Sequence, residues 1–152
     1  MSDSLKDRIS DALTTNSQGY ISPAILMSDK PFNSFAKPIV IHADDNREYY
    51  VKTPFNLDIA RLLFSEQVHA AIGQIIGVPI PDVRLMMIDE ENFLSLLTVE
   101  QRGPHVAGIA HASWKKRPCS DRLWIDLPSK PEYKESYAAI AVFYQLFCFD
   151  DP

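Results

Sequence analysis

The stretch EYYVKTPFNLDIARLLFSEQVHAAIGQII, residues 48–76, decides the fold class of this 152-residue chain. Glu48–Thr53 is rich in aromatic and β-branched residues, which predicts a strand. From Leu57 to Ile76 the apolar residues recur at the spacing of an amphipathic helix, and Asn56 is a residue type that caps a helix. Gly77 then favours a helix end. A strand followed directly by a long helix is therefore the unit around which the other elements are placed.

Four further strands are predicted around this unit. Tyr20–Met27 and Pro38–His42 precede it, and turn residues Asp44–Asn46 join the second of them to Glu48–Thr53 as a hairpin. The last two strands follow the helix, at the apolar segments Val83–Ile88 and Phe93–Val99. Together they predict an α+β fold, an antiparallel five-stranded sheet with one inserted helix packed on it.

The two ends of the chain add two predicted helices. Residues 4–14 place leucine and isoleucine four apart, which is typical of a short amphipathic helix. Ser129 and Glu132 form a capping box before a hydrophobic C-terminal helix. The polar and aromatic segment Glu100–Asp126 carries no assignment. We expect one compact domain in which residues 1–99 form the α+β subdomain and residues 100–152 a second part.

Charge and composition exclude several classes of protein. There are 15 Lys and Arg against 20 Asp and Glu, a net charge of −5, which argues against a strongly basic nucleic-acid binder. No apolar run reaches the ~18 residues that span a bilayer, and Met1–Asp11 is too polar for a signal peptide. Cys119 and Cys148 cannot form a disulfide framework, and His105, His111 and Cys119 are too widely spaced for zinc. We therefore expect a cytoplasmic protein without a metal site, a membrane or a nucleic-acid partner.

Lys52 and Glu66 form the sharpest candidate site. Glu66 lies in the middle of the predicted helix on an apolar face, where an acid must find a partner or raise its pKa. Lys52, one element earlier, is the obvious partner, and we predict its ammonium within about 4 Å of a Glu66 oxygen. Protein kinases use such a lysine to grip ATP phosphates. The alternatives are a purely structural ion pair, or a Lys52 that points into solvent.

Three short segments resemble the HipA-like serine/threonine kinases. These are the strand Tyr50–Thr53, the helix segment Leu62–Val68 and the run Ile76–Pro81 before a hydrophobic strand. In the family an asparagine precedes the helix glutamate, where this chain has Ser65. The resemblance covers Tyr20–Val99 and extends weakly to the C-terminus. It implies that residues 1–99 form a kinase N-lobe and that residues 100–152 form a hinge-like segment and the C-terminal helix of an incomplete C-lobe.

The resemblance also implies roles for individual residues. Lys52 would contact the phosphates of ATP, Glu66 would hold Lys52, and Glu100 and Gln101 would form the hinge that meets adenine. At the end of the chain, Asp151 falls at the position of the catalytic base, but the neighbouring family residues and the metal-binding Asn and Asp do not follow. The cofactor expected is ATP with Mg²⁺, bound weakly and without phosphoryl transfer.

Two functions follow from this comparison. One is a truncated or catalytically incomplete ATP-dependent serine/threonine kinase. The alternative is a non-catalytic protein-binding or inhibitory module on the same fold, antitoxin-like or phage-encoded.

Three segments bear on ligands and partners. Ser28–Lys37, between the first two strands, contains no glycine, which makes close backbone approach to phosphates harder. The patch Trp114–Arg117 could stack on bases, meet an acidic partner or form a solvated loop. The C-terminal helix is apolar nearly all round, so Glu100–Asp126, a partner protein or a second copy must cover it, and a homodimer is the simplest outcome.

Overall fold

The computed structural model describes residues 19–116 and 134–147. Its centre is a five-stranded sheet in the order β1-β2-β3-β5-β4, in which every neighbouring pair is antiparallel. The strands are β1 (Pro23–Leu26), β2 (Ile39–Ala43), β3 (Glu48–Lys52), β4 (Val83–Ile88) and β5 (Gly108–Trp114). The helices are α1 (Leu57–Ile76), α2 (Val99–Arg102) and α3 (Lys134–Phe147), with one 3₁₀ turn at Leu94–Leu96. The predicted α+β class is confirmed.

The β2–β3 hairpin forms where the turn residues predicted it. Val40 lies opposite Tyr50 in the register of the two strands. Within the turn, Asn46 adopts a positive φ of 64°, and the Asp45 side chain accepts a hydrogen bond from the backbone N–H of Arg47. Asparagine tolerates the left-handed region better than most residues, so this turn is a local property of the sequence.

Helix α1 has the predicted bounds and the predicted caps. The Asn56 side chain accepts a hydrogen bond of 2.8 Å from the backbone N–H of Ile59. At the other end Gly77 takes the left-handed conformation, φ 81° and ψ 26°. Both ends of α1 are thus satisfied locally, as helix termini require.

The two faces of the sheet differ in character because side chains alternate along each strand. One face carries the apolar core, which Phe93 and Leu94 cover after β4. The sheet residues of this core are Ile39, Ile41, Ala43, Tyr49, Val51, Met86, Ile88, Ala110 and Ala112. The opposite face carries Lys52 and His111, and there both residues contact side chains of α1. Helix and sheet therefore enclose a polar cluster on this face.

The predicted strand at Phe93–Val99 is wrong. Asp89 accepts hydrogen bonds from the backbone N–H groups of Asn92 and Leu94, which turns the chain into the 3₁₀ turn and then into α2. Only part of this apolar run reaches the core, since Val99 is 91% exposed. The fifth strand is β5, which lies within Glu100–Asp126, a segment for which the sequence predicts no element. The sheet therefore extends past residue 99 to Trp114.

Helix α3 packs on α1 through Phe143. The Phe143 side chain is buried, and its ring lies edge-on to His69 with centroids 6.4 Å apart. The predicted helix at residues 4–14, the Ser129 capping box and Asp151 lie outside the described residues. Among the residues described, no helix has the length and apolar character needed to span a membrane.

Candidate functional site

Lys52 and Glu66 form the predicted ion pair. Lys52 is the last residue of β3, and its Nζ lies 2.6 Å from Oε1 and 2.8 Å from Oε2 of Glu66 in the middle of α1. Both side chains are partly buried, at 21% and 27% exposure. Partial burial weakens solvent screening, so this pair interacts more strongly than one on the open surface. The prediction of a distance under about 4 Å is confirmed.

His111 joins this pair from the neighbouring strand. It lies opposite Lys52 in the register of β3 and β5, and its side chain is buried. Its Nε2 is 3.5 Å from Oε2 of Glu66, and its Nδ1 is 3.0 Å from Oε1 of Gln67. Burial lowers the pKa of His111 to about 4, despite the opposing effect of the Glu66 carboxylate, so the ring is neutral at pH 7.

Sequence reasoning missed the role of His111. The sequence places His111 only with His105 and Cys119, as a set too widely spaced for zinc, because no strand is predicted for the segment that carries it. The signal that could have found it is the antiparallel register, which places His111 beside Lys52 once Gly108–Trp114 is taken as a strand.

A cavity of about 470 Å³ opens beside the three side chains. Its polar end carries Lys52, Glu66, His111 and Ser113. Its apolar remainder is formed by the residues after α1 and by α3: Val78, Pro79, Ile80, Pro81, Val83, Ile140 and Phe143. A concave apolar space with a few convergent polar groups is typical of a small-molecule site.

The β1–β2 connection, Ser28–Lys37, is anchored over the same face of the sheet. The backbone N–H of Val40 donates to Oγ of Ser28. Phe32 meets Tyr50 edge-on, with ring centroids 5.8 Å apart, and Tyr50 shares a sheet face with Lys52. The connection lacks glycine, yet side-chain contacts hold it against the strand that carries Lys52.

Glu100 and Gln101 lie away from this cluster. Both are in α2, where Gln101 closes a capping box with Thr98, and neither lines the cavity. The residues that follow the fifth strand are Lys115 and Lys116. The prediction that Glu100 and Gln101 contact adenine assumed a strand at Phe93–Val99. The structure has no strand there, so this contact stays a prediction.

The basic and aromatic patch lies where β5 ends. Arg47 and Lys116 place their charged groups 4.7 and 4.9 Å from the Trp114 ring, which are cation–π distances. Lys115 pairs with Glu48 at 3.3 Å and lies over Tyr50. The first residues of the patch are thus packed on the sheet rather than extended into solvent.

Lys52 is the cationic side chain in the lining of this site, and an ammonium group is suited to bind an anion. Lys52 contributes a cation to the lining of a largely apolar cavity. Among residues 19–116 and 134–147, no group of three or more His, Cys, Asp or Glu side chains is close enough to hold a metal ion.

An antiparallel five-stranded sheet with a long helix after its third strand, joined to it by a lysine–glutamate pair, defines a fold like the N-lobe of a protein kinase. A sequence profile described as HipA-like kinase matches residues 28–145, most of the chain. The chain belongs to the HipA-like kinase family. Comparison with curated proteins and with solved structures gave no significant match.

Proposed function

We propose that this domain binds ATP and that Lys52 contacts its phosphates, as the nucleotide-binding part of a HipA-like serine/threonine kinase. The observation that supports the proposal most is the bidentate contact between Lys52 and Glu66, both of which line the cavity. The glutamate holds the ammonium group in one place, so that it can neutralise phosphate oxygens without first being ordered.

The base of the nucleotide would lie near the end of β5. In kinases the segment after the fifth strand meets the base, and here that segment begins at Lys115. Tyr50 and Ser113 are paired in the register of β3 and β5, on the face that carries Lys52. We therefore place the base along this face, toward Lys115 instead of Glu100.

Phosphoryl transfer requires more than these residues supply. It needs a base for the attacking hydroxyl and ligands for Mg²⁺, which neutralises the charge that develops on the phosphates. Among the residues that the structure describes, no cluster of metal ligands is present. Nucleotide binding, without transfer, is the activity that we propose for the described part of the chain.

Calorimetric titration with Mg-ATP tests the proposal. We expect Lys52→Ala to weaken binding about tenfold or more, because a charge-assisted contact of about 1.5–3 kcal/mol is lost. Arg61→Ala is the matched control, since it also removes one positive charge but from an exposed position on α1, and its affinity should stay close to that of the original chain.

Two results would contradict the proposal. One is equal affinity in the Lys52 variant and the Arg61 control. The other is no binding by the folded, unmodified chain, and this second result would favour the non-catalytic interaction module. Transfer of labelled γ-phosphate to the chain or to a generic protein substrate would contradict the statement that binding occurs without transfer.

A further inference from the structure

We propose that His111 is a positioning residue that holds Glu66 toward Lys52 through its Nε2–H, a role that rests on the proposed nucleotide site. The ring of His111 is buried where β5, β3 and α1 meet. It touches two consecutive helix residues, Glu66 through Nε2 at 3.5 Å and Gln67 through Nδ1 at 3.0 Å. One side chain of β5 thus fixes the turn of α1 that carries Glu66.

The chemistry of Glu66 and Gln67 determines which ring nitrogen of His111 carries the hydrogen. An ionised carboxylate can only accept, so a neutral ring faces Glu66 favourably only when Nε2 carries the hydrogen. Nδ1 then accepts, which requires the Gln67 amide to be turned so that its nitrogen takes the place of Oε1, the atom that lies 3.0 Å from Nδ1. A half-turn of the amide exchanges its nitrogen and oxygen without changing its shape. In this arrangement all three polar groups have matched partners.

The neutral state of His111 affects how strongly Glu66 binds Lys52. A charged imidazole would compete with Lys52 for the Glu66 carboxylate and would repel the ammonium group nearby. A neutral ring orients the Glu66 carboxylate through its N–H group without neutralising the negative charge. That charge then interacts mainly with the Lys52 ammonium group. Both carboxylate oxygens of Glu66 are in fact directed to Lys52, at 2.6 and 2.8 Å.

At 3.5 Å the distance between Nε2 and Oε2 of Glu66 is beyond that of an ordinary hydrogen bond, so without a ligand the contact is weak. Contacts of this kind shorten when a ligand closes the site. Movement of α1 away from the sheet would break the contacts of His111 with Glu66 and Gln67 together. We therefore expect His111 to favour the conformation in which Lys52 is held ready for phosphate.

The protonation pattern of His111 gives the first test and needs no nucleotide. Two-bond and three-bond ¹H–¹⁵N NMR correlations of the ring distinguish the two neutral tautomers. We expect the Nε2–H form in the unmodified chain at pH 7. The Nδ1–H form would overturn the proposal, because the ring would then present a lone pair to the carboxylate.

Two variants of His111 give the second test. In His111→Gln the terminal amide nitrogen can occupy the place of Nε2 and donate to Glu66, whereas His111→Leu keeps an apolar side chain of comparable size without a donor. The readout is the exchange of the Lys52 ammonium hydrogens with water, measured by NMR without nucleotide. We expect about fivefold faster exchange in the Leu variant, and a rate near the original in the Gln variant, since one hydrogen bond is worth about 1 kcal/mol.

The affinity for Mg-ATP should follow the same order, with the Leu variant weakest. If the unmodified chain binds no nucleotide, the proposed function fails, while the tautomer and the ammonium exchange still decide the role of His111. Equal exchange in the original chain and the Leu variant would overturn that role. Equal loss in both variants would also overturn it, because the effect would then come from packing and not from the donor. If the Leu variant does not fold, the tautomer result stands as the deciding measurement.

Discussion

His105 illustrates how one buried side chain connects distant parts of this chain. Its Nε2 donates to the carbonyl oxygen of Lys37 at 3.0 Å, because a carbonyl can only accept. Its Nδ1 then accepts from the Thr53 hydroxyl at 2.9 Å, and the hydroxyl oxygen accepts from the N–H of Val106. Burial lowers the pKa of His105 and keeps the ring neutral. The β1–β2 connection is thereby tied to the end of β3 and to the approach to β5.

Replacing His105 by leucine should destabilise the fold. The Lys37 carbonyl would lose the donor that His105 supplies, and the Thr53 hydroxyl would lose the acceptor of its hydrogen, at about 1–3 kcal/mol for each buried group. We expect a decrease of about 2–4 kcal/mol in the free energy of unfolding, measured by urea denaturation. His42→Leu is the control, since the His42 side chain bonds an exposed turn residue, Asn46, within the described part of the chain, and the change should cost less than about 1 kcal/mol. Equal losses in the two variants would contradict the proposed network.

At the scale of elements, the contact between α1 and α3 depends on Gly73, a residue without a side chain. A Cβ at Gly73 would lie 2.8 Å from Cδ1 of Ile80 and 3.3 Å from Cε2 of Phe143. Glycine costs about 1 kcal/mol inside a helix compared with alanine, so its presence in α1 has a packing reason. The space it leaves is taken by the Phe143 ring, which also lines the cavity.

Gly73→Val should therefore separate α3 from α1. Overpacking at such a contact costs about 1–3 kcal/mol, and the side chains that would have to move are those of Ile80 and Phe143. We expect faster amide exchange in α3 with little change in the β2–β3 hairpin, measured by hydrogen–deuterium exchange. Arg61→Val introduces the same residue at an exposed position of α1 and should leave α3 protected. Unchanged protection of α3 in the Gly73 variant would show that Phe143 does not depend on this space.

Helix α3 also carries the prediction of a partner. Phe143 faces inward, while Val142 is 57% exposed. The covering of the remaining apolar residues by a partner protein or a second copy stays a prediction, since the side chains of residues 144–147 and the chain beyond them lie outside the described part.

At the scale of the whole molecule, two buried neutral histidines couple stability to pH. The pKa of His111 is lowered to about 4 and that of His105 is also lowered, both chiefly by burial, from an unfolded value near 6.5. Between about pH 6.5 and pH 4 the unfolded chain therefore binds protons that the folded chain does not. The stabilisation is complete above pH 6.5 and decreases as the pH falls.

The free energy of unfolding should consequently be lower at pH 5 than at pH 7.5. Each proton taken up only by the unfolded chain changes it by up to about 1.4 kcal/mol per pH unit. Urea denaturation at the two pH values measures this decrease in the free energy of unfolding. In His111→Gln the decrease should be smaller, because His105 is then the one buried histidine of the pair that still titrates. A decrease of the same size in the His111→Gln variant would show that His111 does not contribute.

The elements that could be predicted are those with local causes. Asn56 and Gly77 satisfy the ends of α1 by contacts within a few residues, and the turn at Asn46 closes a hairpin between neighbouring strands. The Lys52–Glu66 pair could be predicted as well, because a carboxylate on an apolar helix face needs a cation and the preceding strand supplied one.

The elements that could not be predicted depend on distant segments. Strand β5 has small residues, Ala110 and Ala112, facing the core, so its own apolar pattern is weak and its place comes from pairing with β3 and β4. Phe93–Val99 has the stronger apolar pattern, yet the turn at Asp89 directs it over the face of the sheet instead of into it.

The sequence by itself determined α1, the hairpin and the lysine–glutamate pair, because caps, turn residues and the burial of one charge act over short distances. Only the tertiary structure decided which segment completes the sheet, and with it that His111 lies beside Lys52. The physical reason is that antiparallel pairing brings together residues that are far apart in the chain. The residues around His111 do not by themselves predict which strand lies next to it.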